Sequence, residues 1–340
     1  MAGLDLSTVE LYRGLRVVTL ENELLRVQIL PEAGAKIWQI NYLPLDTDLL
    51  WNNPDIPPAQ HAIHAPYDDV WSGGWDELFP NDEEAVIHGE RYPDHGELWN
   101  AAWEAKPFTC ADKVGVTLRL QTPLSSVAVE KTITLPHGSA QLHFSHRFTN
   151  HGAVAFPFLW KLHPAMRVTP QHRIDMPRMR VVREPDFPGT LGEAPLEFAW
   201  PHAFLSGRTV DLRRVPAPRE RELHFFYGTE MEGGWCAVTD TAKRLACGLR
   251  FDPAIFPSCW LFASYGGWLD YNVAVLEPCT GYPLRFAAMQ AAGRARELQP
   301  EETLETNVLF TVQEGLDAVS GIDEAGRMMS AASEPAIPEP

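Results

Sequence analysis

The sequence predicts an all-β protein, a sandwich or barrel of antiparallel strands with few short helices. Apolar residues recur with period two, turn signals separate the runs at roughly the 8–12-residue spacing of such folds, and long amphipathic helical patterns are scarce. Leu25, Val27 and Ile29 fall on one side of a strand, with Arg26 and Gln28 on the other. The pattern returns in Val114, Val116, Leu118 and Leu120, and in Val129, Ile133 and Leu135 against Glu130, Thr132 and Thr134. Leu142, Phe144 and Phe148 continue it, as do Thr306, Val308 and Phe310 near the end. Successive side chains of a strand point to opposite faces, so half-buried antiparallel strands read this way. Pro136-His137-Gly138 and Asn150-His151-Gly152 supply turns between them.

One large β domain over residues 1–315 is the economical organisation, since no repeat or low-complexity linker interrupts the interior. Residues 316–340 are expected to hold a short helix, read over Gly315 to Met329, and a disordered tail rich in Ser, Ala, Glu and Pro. Residues 52–100 differ from the rest, being rich in Pro, Trp, His and Asp with little alternation. Long loops of that kind on a β scaffold usually carry function.

The bulk numbers exclude several classes. Lys and Arg total 28 against 45 Asp and Glu, a formal net charge of -17, which repels phosphate backbones and argues against nucleic acid. Met1 to Ser7 has neither a basic nor an apolar signal region, and no uncharged apolar run approaches the ~20 residues of a membrane span. A cytoplasmic protein without a membrane partner is expected. The five cysteines are odd in number and form no CxxC, so reduced and mostly buried thiols are expected. No GxGxxG, phosphate loop or GxSxG elbow occurs. His61 and His64 with Asp68 and Asp69, joined by His88 and His95, are a weak metal pattern, because HxxH lies outside a clear helix.

Two strand-like stretches carry titratable groups suited to proton transfer. In Trp160 to Val168 the residues Trp160, Leu162, Met166 and Val168 share one phase, and Lys161, His163 and Arg167 share the other. The flanking cations disfavour an imidazolium at His163. In Asn272 to Glu277, Val273, Val275 and Glu277 share a phase, so the carboxylate is either a strand end reaching solvent or a partly buried base. Taken singly, His163 is more readily a satisfied surface histidine and Glu277 a strand end reaching solvent. Ser72 to Asn81 and Pro93 to Trp99 interleave aromatic rings with hydrogen-bonding groups. Sugars present both hydroxyls and C–H faces, which such mixtures suit. Of eleven tryptophans, Trp71, Trp75, Trp99, Trp103 and Trp160 sit in or beside these motifs; core filling explains any one of them equally well.

Taken in order, these pieces resemble the aldose 1-epimerase (galactose mutarotase-like) superfamily. The series begins with Asn22 to Ile37 and its Gly34 turn. It continues through Gly73-Gly74-Trp75-Asp76-Glu77-Leu78-Phe79-Pro80-Asn81, His95-Gly96, the strand closing at Asn150, His163-Pro164 and Leu276-Glu277-Pro278. The resemblance implies a large twisted antiparallel β-sandwich (a supersandwich) binding a small-molecule sugar. It implies Glu277 as the catalytic base, His163 as the general acid and His95 as a substrate-binding residue. Trp75, Asp76 and Asn81 are expected at the cleft rim, with Arg91 and Lys161 as further contacts. The sequence departs from the sugar mutarotases in Ala165 and Met166, where aromatic residues usually follow the histidine. The customary arginine before His-Gly has only Arg91 as a stand-in.

The expected activity is anomer interconversion by proton shuttling, with no metal, nucleotide or other cofactor. A non-catalytic carbohydrate-binding protein on the same fold is the alternative. So is a hexose-phosphate epimerase, which needs arginines in the cleft and has Arg91 and Arg167 as candidates. The sequence leaves monomer and homodimer open.

Overall fold

Strands with one apolar face need a second layer to bury it against, and two antiparallel sheets supply one another with that layer. The computed structural model describes residues 3–187 and 189–331. The larger sheet has twelve strands and the smaller has eight. In the smaller, Val127–Pro136 alternates buried and half-buried side chains along its whole length. Its register sets Ile133 opposite Phe144 and Phe144 opposite Val308, so the predicted apolar phase becomes one continuous row.

Aromatic contacts join the layers. Trp75 of the larger sheet packs 4.9 Å from Phe144 and 6.0 Å from Phe310 of the smaller, centroid to centroid, and Trp160 lies 4.6 Å from Phe148. Each fully buried side chain of this size contributes about 1.5–3 kcal/mol through lost contact with water. One charged cluster sits within this apolar layer. Glu77 meets Lys131 Nζ at 3.0 Å and His146 Nε2 at 3.0 Å, and accepts a bond from Trp160 Nε1 at 3.2 Å. Burial alone would raise its pKa, but His146 and Lys131 outweigh burial and hold it well below the carboxylate range.

Chain order and sheet order differ, and the difference builds the site. Lys161–Arg167 lies between Trp75–Leu78 and Asn272–Cys279, three strands from distant parts of the sequence. The described residues contain two α-helices, Tyr67–Val70 and Phe286–Ala291. None is long and apolar enough to cross a membrane. All five cysteines are free, four of them buried.

The helix expected over Gly315 to Met329 is corrected. Val319–Ile322 and Met328–Ser330 pair there as an antiparallel hairpin, turning through Gly326 at φ 77°. Three glycines, Gly315, Gly321 and Gly326, each weaken a helix by about 1 kcal/mol. The apolar side chains instead cover Trp235, Ala237 and Ala246 on the outside of the smaller sheet. The expected disordered tail beyond residue 331 lies outside the described residues.

Candidate active site

Strand pairing places the titratable residues. Register sets His163 beside Asp76 on one neighbouring strand. On the other, the ladder pairs Lys161↔Cys279 and Ala165↔Val275 bracket His163 and Glu277 and set these two opposite each other. Opposed residues of an antiparallel pair share a face, so Asp76, His163 and Glu277 turn away from the smaller sheet. By the same alternation Trp75, Glu77, Leu162 and Leu276 turn inward between the sheets.

Residues 52–100 cover this outer face and enclose a cleft of about 390 Å³, within the range of small-molecule sites. That segment contributes Tyr67, Asp68, Trp71, Asp82, Glu83, Asp94 and His95. The sheet contributes Lys161, His163, Phe225, Phe262 and Glu277, and later loops add Asp186, Phe187, Trp268, Leu284 and Arg285. His95 and Gly96 both adopt left-handed backbone, at φ 62° and 71°. Glycine is required at the second position, because a Cβ there would lie 2.0 Å from the Phe79 carbonyl oxygen. Asn81 ties the segments together by donating to the carbonyls of Glu83 at 2.7 Å and Pro93 at 2.8 Å.

At the cleft floor Lys161 Nζ stands 2.5 Å from Glu277 Oε2 and 3.2 Å from Asp82 Oδ1, and 4.4 Å over the Trp260 ring. Burial disfavours the ammonium, but Asp82 and Glu277 outweigh it and hold Lys161 above the ordinary lysine value. Burial raises the pKa of Glu277, with Lys161 opposing. Glu277 Oε2 is buried against the Lys161 ammonium.

The two histidines are shifted in opposite directions. Burial presses the His163 pKa well below the ordinary value, and Lys161, His95 and Lys36 press the same way; the resting imidazole is neutral. Burial also disfavours charge on His95, but Asp94 at 2.8 Å from Nδ1 and Asp82 at 3.6 Å from Nε2 outweigh it, and its pKa is raised. Tyr67 links the pair. Its ring stacks on His95 at 4.0 Å between centroids, and its hydroxyl lies 3.2 Å from His163 Nδ1 and 3.0 Å from Asp76 Oδ2.

Of the residues singled out in the sequence, the structure brings His95, Lys161, His163 and Glu277 to one cleft. Five others do not line it. Trp75 lies in the inter-sheet core, because it is one residue out of phase with Asp76. Asp76 faces the right way but is sealed under Tyr67 and paired with Lys36 Nζ at 2.6 Å. Asn81 is a buried strut. Arg91 sits on an exposed hairpin and pairs with Glu84 at 2.7 Å. Arg167 lines a separate groove near His172 and Asp240. Tyr67, Asp82, Phe225, Phe262 and Arg285 line the cleft unanticipated; only the unusual composition of residues 52–100 pointed toward the first two. Among the described residues, no three His, Cys, Asp or Glu side chains are grouped to hold a metal ion. The HxxH pair and its neighbours therefore form no such cluster.

No protein-family profile matches this sequence, and no curated protein matches it. Solved structures do. A Klebsiella pneumoniae protein, provisionally named an aldose 1-epimerase, superposes with a TM-score of 0.70 at 14% identity, covering 92% of this chain and 83% of its own. A galactose mutarotase-like protein from Clostridium acetobutylicum gives 0.64 at 11% identity, covering 92% and 99%. A galactose mutarotase related enzyme from Lactobacillus acidophilus gives 0.62 at 14%, covering 88% and 97%. The chain has the galactose mutarotase-like fold, an antiparallel β-sandwich, one of the two architectures that the alternation allowed.

Proposed function

We propose that the protein interconverts the anomers of an uncharged cyclic aldose. The observation that carries this reading is a buried imidazole and a buried carboxylate, His163 and Glu277, opposed on adjacent strands at the floor of a sugar-sized cleft. Glu277 takes the proton of the anomeric hydroxyl as the C1–O5 bond breaks and C1=O1 forms. His163, neutral at rest, takes up a proton from solvent as the sugar binds and gives it to O5. Rotation about C1–C2 and the reverse transfers close the ring as the other anomer. Each proton transfer contributes roughly 10²–10⁴-fold, and none requires a metal or nucleotide. His95 and the Lys161–Asp82 pair supply donors and acceptors for hydroxyl groups, and Trp71, Phe225, Phe262 and Trp268 supply faces for the C–H side. The names of the structural neighbours point the same way.

Charge argues for a neutral substrate. The cleft carries six carboxylates (Asp68, Asp82, Glu83, Asp94, Asp186 and Glu277) against the cations Lys161 and Arg285. Arg285 is itself shared with Asp186 at 3.1 Å. A sugar phosphate meets repulsion there.

The close Lys161–Glu277 contact also favours a second reading, a carbohydrate-binding protein whose carboxylate is held too firmly to act as a base. Calorimetry and anomer exchange on a panel of free aldoses separate the two. Binding without accelerated exchange supports the second, and exchange lost in Glu277→Gln supports the first.

A further inference from the structure

Tyr67 is absent from the proton-transfer scheme above, yet its hydroxyl touches His163. Four buried groups form a line: Lys36 Nζ, Asp76 Oδ2, Tyr67 Oη and His163 Nδ1, at successive separations of 2.6, 3.0 and 3.2 Å. A hydroxyl has one proton to donate, and two acceptors compete for it. Asp76 is the stronger claimant, because a carboxylate accepts more strongly than a neutral ring nitrogen. Its need is also greater. Asp76 is fully buried, and its other oxygen, Oδ1, has no hydrogen-bond partner among the described residues. Burial and Asp76 push the Tyr67 pKa well above its ordinary value, so the proton stays on the phenol.

We infer that Tyr67 is a positioning residue that fixes the tautomer of His163. With its proton committed to Asp76, the Tyr67 oxygen is an acceptor, and His163 Nδ1 must carry the N–H that meets it. The neutral imidazole then holds its lone pair on Nε2, the nitrogen left for the cleft. This deepens the anomer-exchange reading and rests on it for its catalytic meaning. An imidazolium that gives its Nε2 proton to a ring oxygen becomes the Nδ1–H tautomer, which Tyr67 already accommodates without rotation of either side chain. On closure Nε2 takes the proton back. The opposite tautomer would leave Nε2 already protonated, and donation from a neutral ring would require an imidazolate. Every charged or titratable neighbour enters this balance: Lys161 on the same strand, Asp76 and Glu277 on the flanking strands, Lys36 beyond, and Tyr67 and His95 from residues 52–100.

The decisive measurement is the ¹⁵N spectrum of the His163 ring in histidine-labelled full-length protein near neutral pH, without sugar. Loss of the signals in His163→Asn makes the assignment. The expected wild-type pattern is a protonated Nδ1 and an unprotonated Nε2. In Asp76→Asn, Lys36 claims the amide oxygen and the amide N–H₂ turns to Tyr67. The hydroxyl then donates to His163 Nδ1, and the proton is expected on Nε2. Tyr67→Phe is expected to give a mixture. In exchange assays both variants should lose kcat, by on the order of 10²-fold for Asp76→Asn, with KM little changed and the pH profile shifted. A wild-type His163 protonated on Nε2 alone overturns the inference, as does one unchanged tautomer in all three proteins. The wild-type spectrum decides the matter should either variant fail to fold. Because it needs no sugar, its outcome is separate from whether any aldose is turned over.

Discussion

His163 and Glu277 face each other across neighbouring antiparallel strands, framed by Lys161↔Cys279 on one side and Ala165↔Val275 on the other. Cross-strand partners on one face have Cβ atoms roughly 4.5–5.5 Å apart, and both residues border the same cleft. On the proposed function, one pyranose touches both. A sheet holds this spacing far more firmly than loops do, which suits groups that must exchange protons without rearranging.

Substrate charge follows from the carboxylates. Neutral hexoses are expected to exchange with kcat/KM at least roughly tenfold above that of their 6-phosphates, a gap that narrows as salt screens the field. Arg91→Ala and Arg167→Ala are expected to change neither substrate by more than about twofold, since neither residue lines the cleft and single surface charges act weakly. A preference for the phosphate that either variant abolishes contradicts this reading.

The buried cluster at Glu77 should dominate stability between the sheets. Glu77→Gln leaves Lys131 without its partner charge in an apolar layer, a loss of about 3–5 kcal/mol by urea unfolding. Adding Lys131→Met should restore part of it, because the stranded charge is then removed. A loss under about 1 kcal/mol in the single variant would mean that water reaches the cluster.

Stability should depend on pH through His163 with a definite sign. Its folded pKa is well below the unfolded value of about 6.5. Below that pH the unfolded chain binds a proton that the folded chain refuses, and stability falls by up to about 1.4 kcal/mol per pH unit. His95 acts oppositely: its raised pKa gives stability that is present below pH ~6.5 and lost as pH rises through the folded value. The difference between wild type and His163→Asn isolates the first effect. Urea midpoints at pH 7.5 and 5.5 should shift less in the variant; equal shifts contradict a neutral buried imidazole.

Backbone geometry at His95 gives a local test. Gly96→Ala puts a methyl group against the Phe79 carbonyl at positive φ. It should destabilise by more than about 1 kcal/mol and weaken sugar binding by displacing His95. Gly89→Ala is the control, with similar φ but no atom within 4 Å of the new Cβ; it should cost about 1 kcal/mol and leave binding unchanged.

Alternation made the sandwich readable because each strand keeps one face in the core, as Val127–Pro136 does throughout. The same rule explains what could be read at the site. His163 and Glu277 each sit in a regular strand whose phase assigns a face. The run Gly73 to Asn81 was harder, since consecutive residues serve opposite faces: Trp75 packs inward, Asp76 outward and Glu77 inward. A motif read as a block hides that division. Tyr67 opens a helix of only four residues and Asp82 lies in irregular chain, so neither has a period long enough to fix its direction and tertiary contacts decide it. The hairpin at Val319–Ser330 was missed because short apolar runs between glycines fit either period.

The most direct test of the central claim is two-dimensional NMR exchange between the α and β anomers of free aldoses, with wild type, Glu277→Gln and His163→Asn compared at equal concentration. Wild type is expected to speed exchange of at least one neutral aldose, and each variant to lose roughly 10²–10⁴-fold while keeping its fold by circular dichroism. Exchange that persists undiminished in both folded variants would contradict the account.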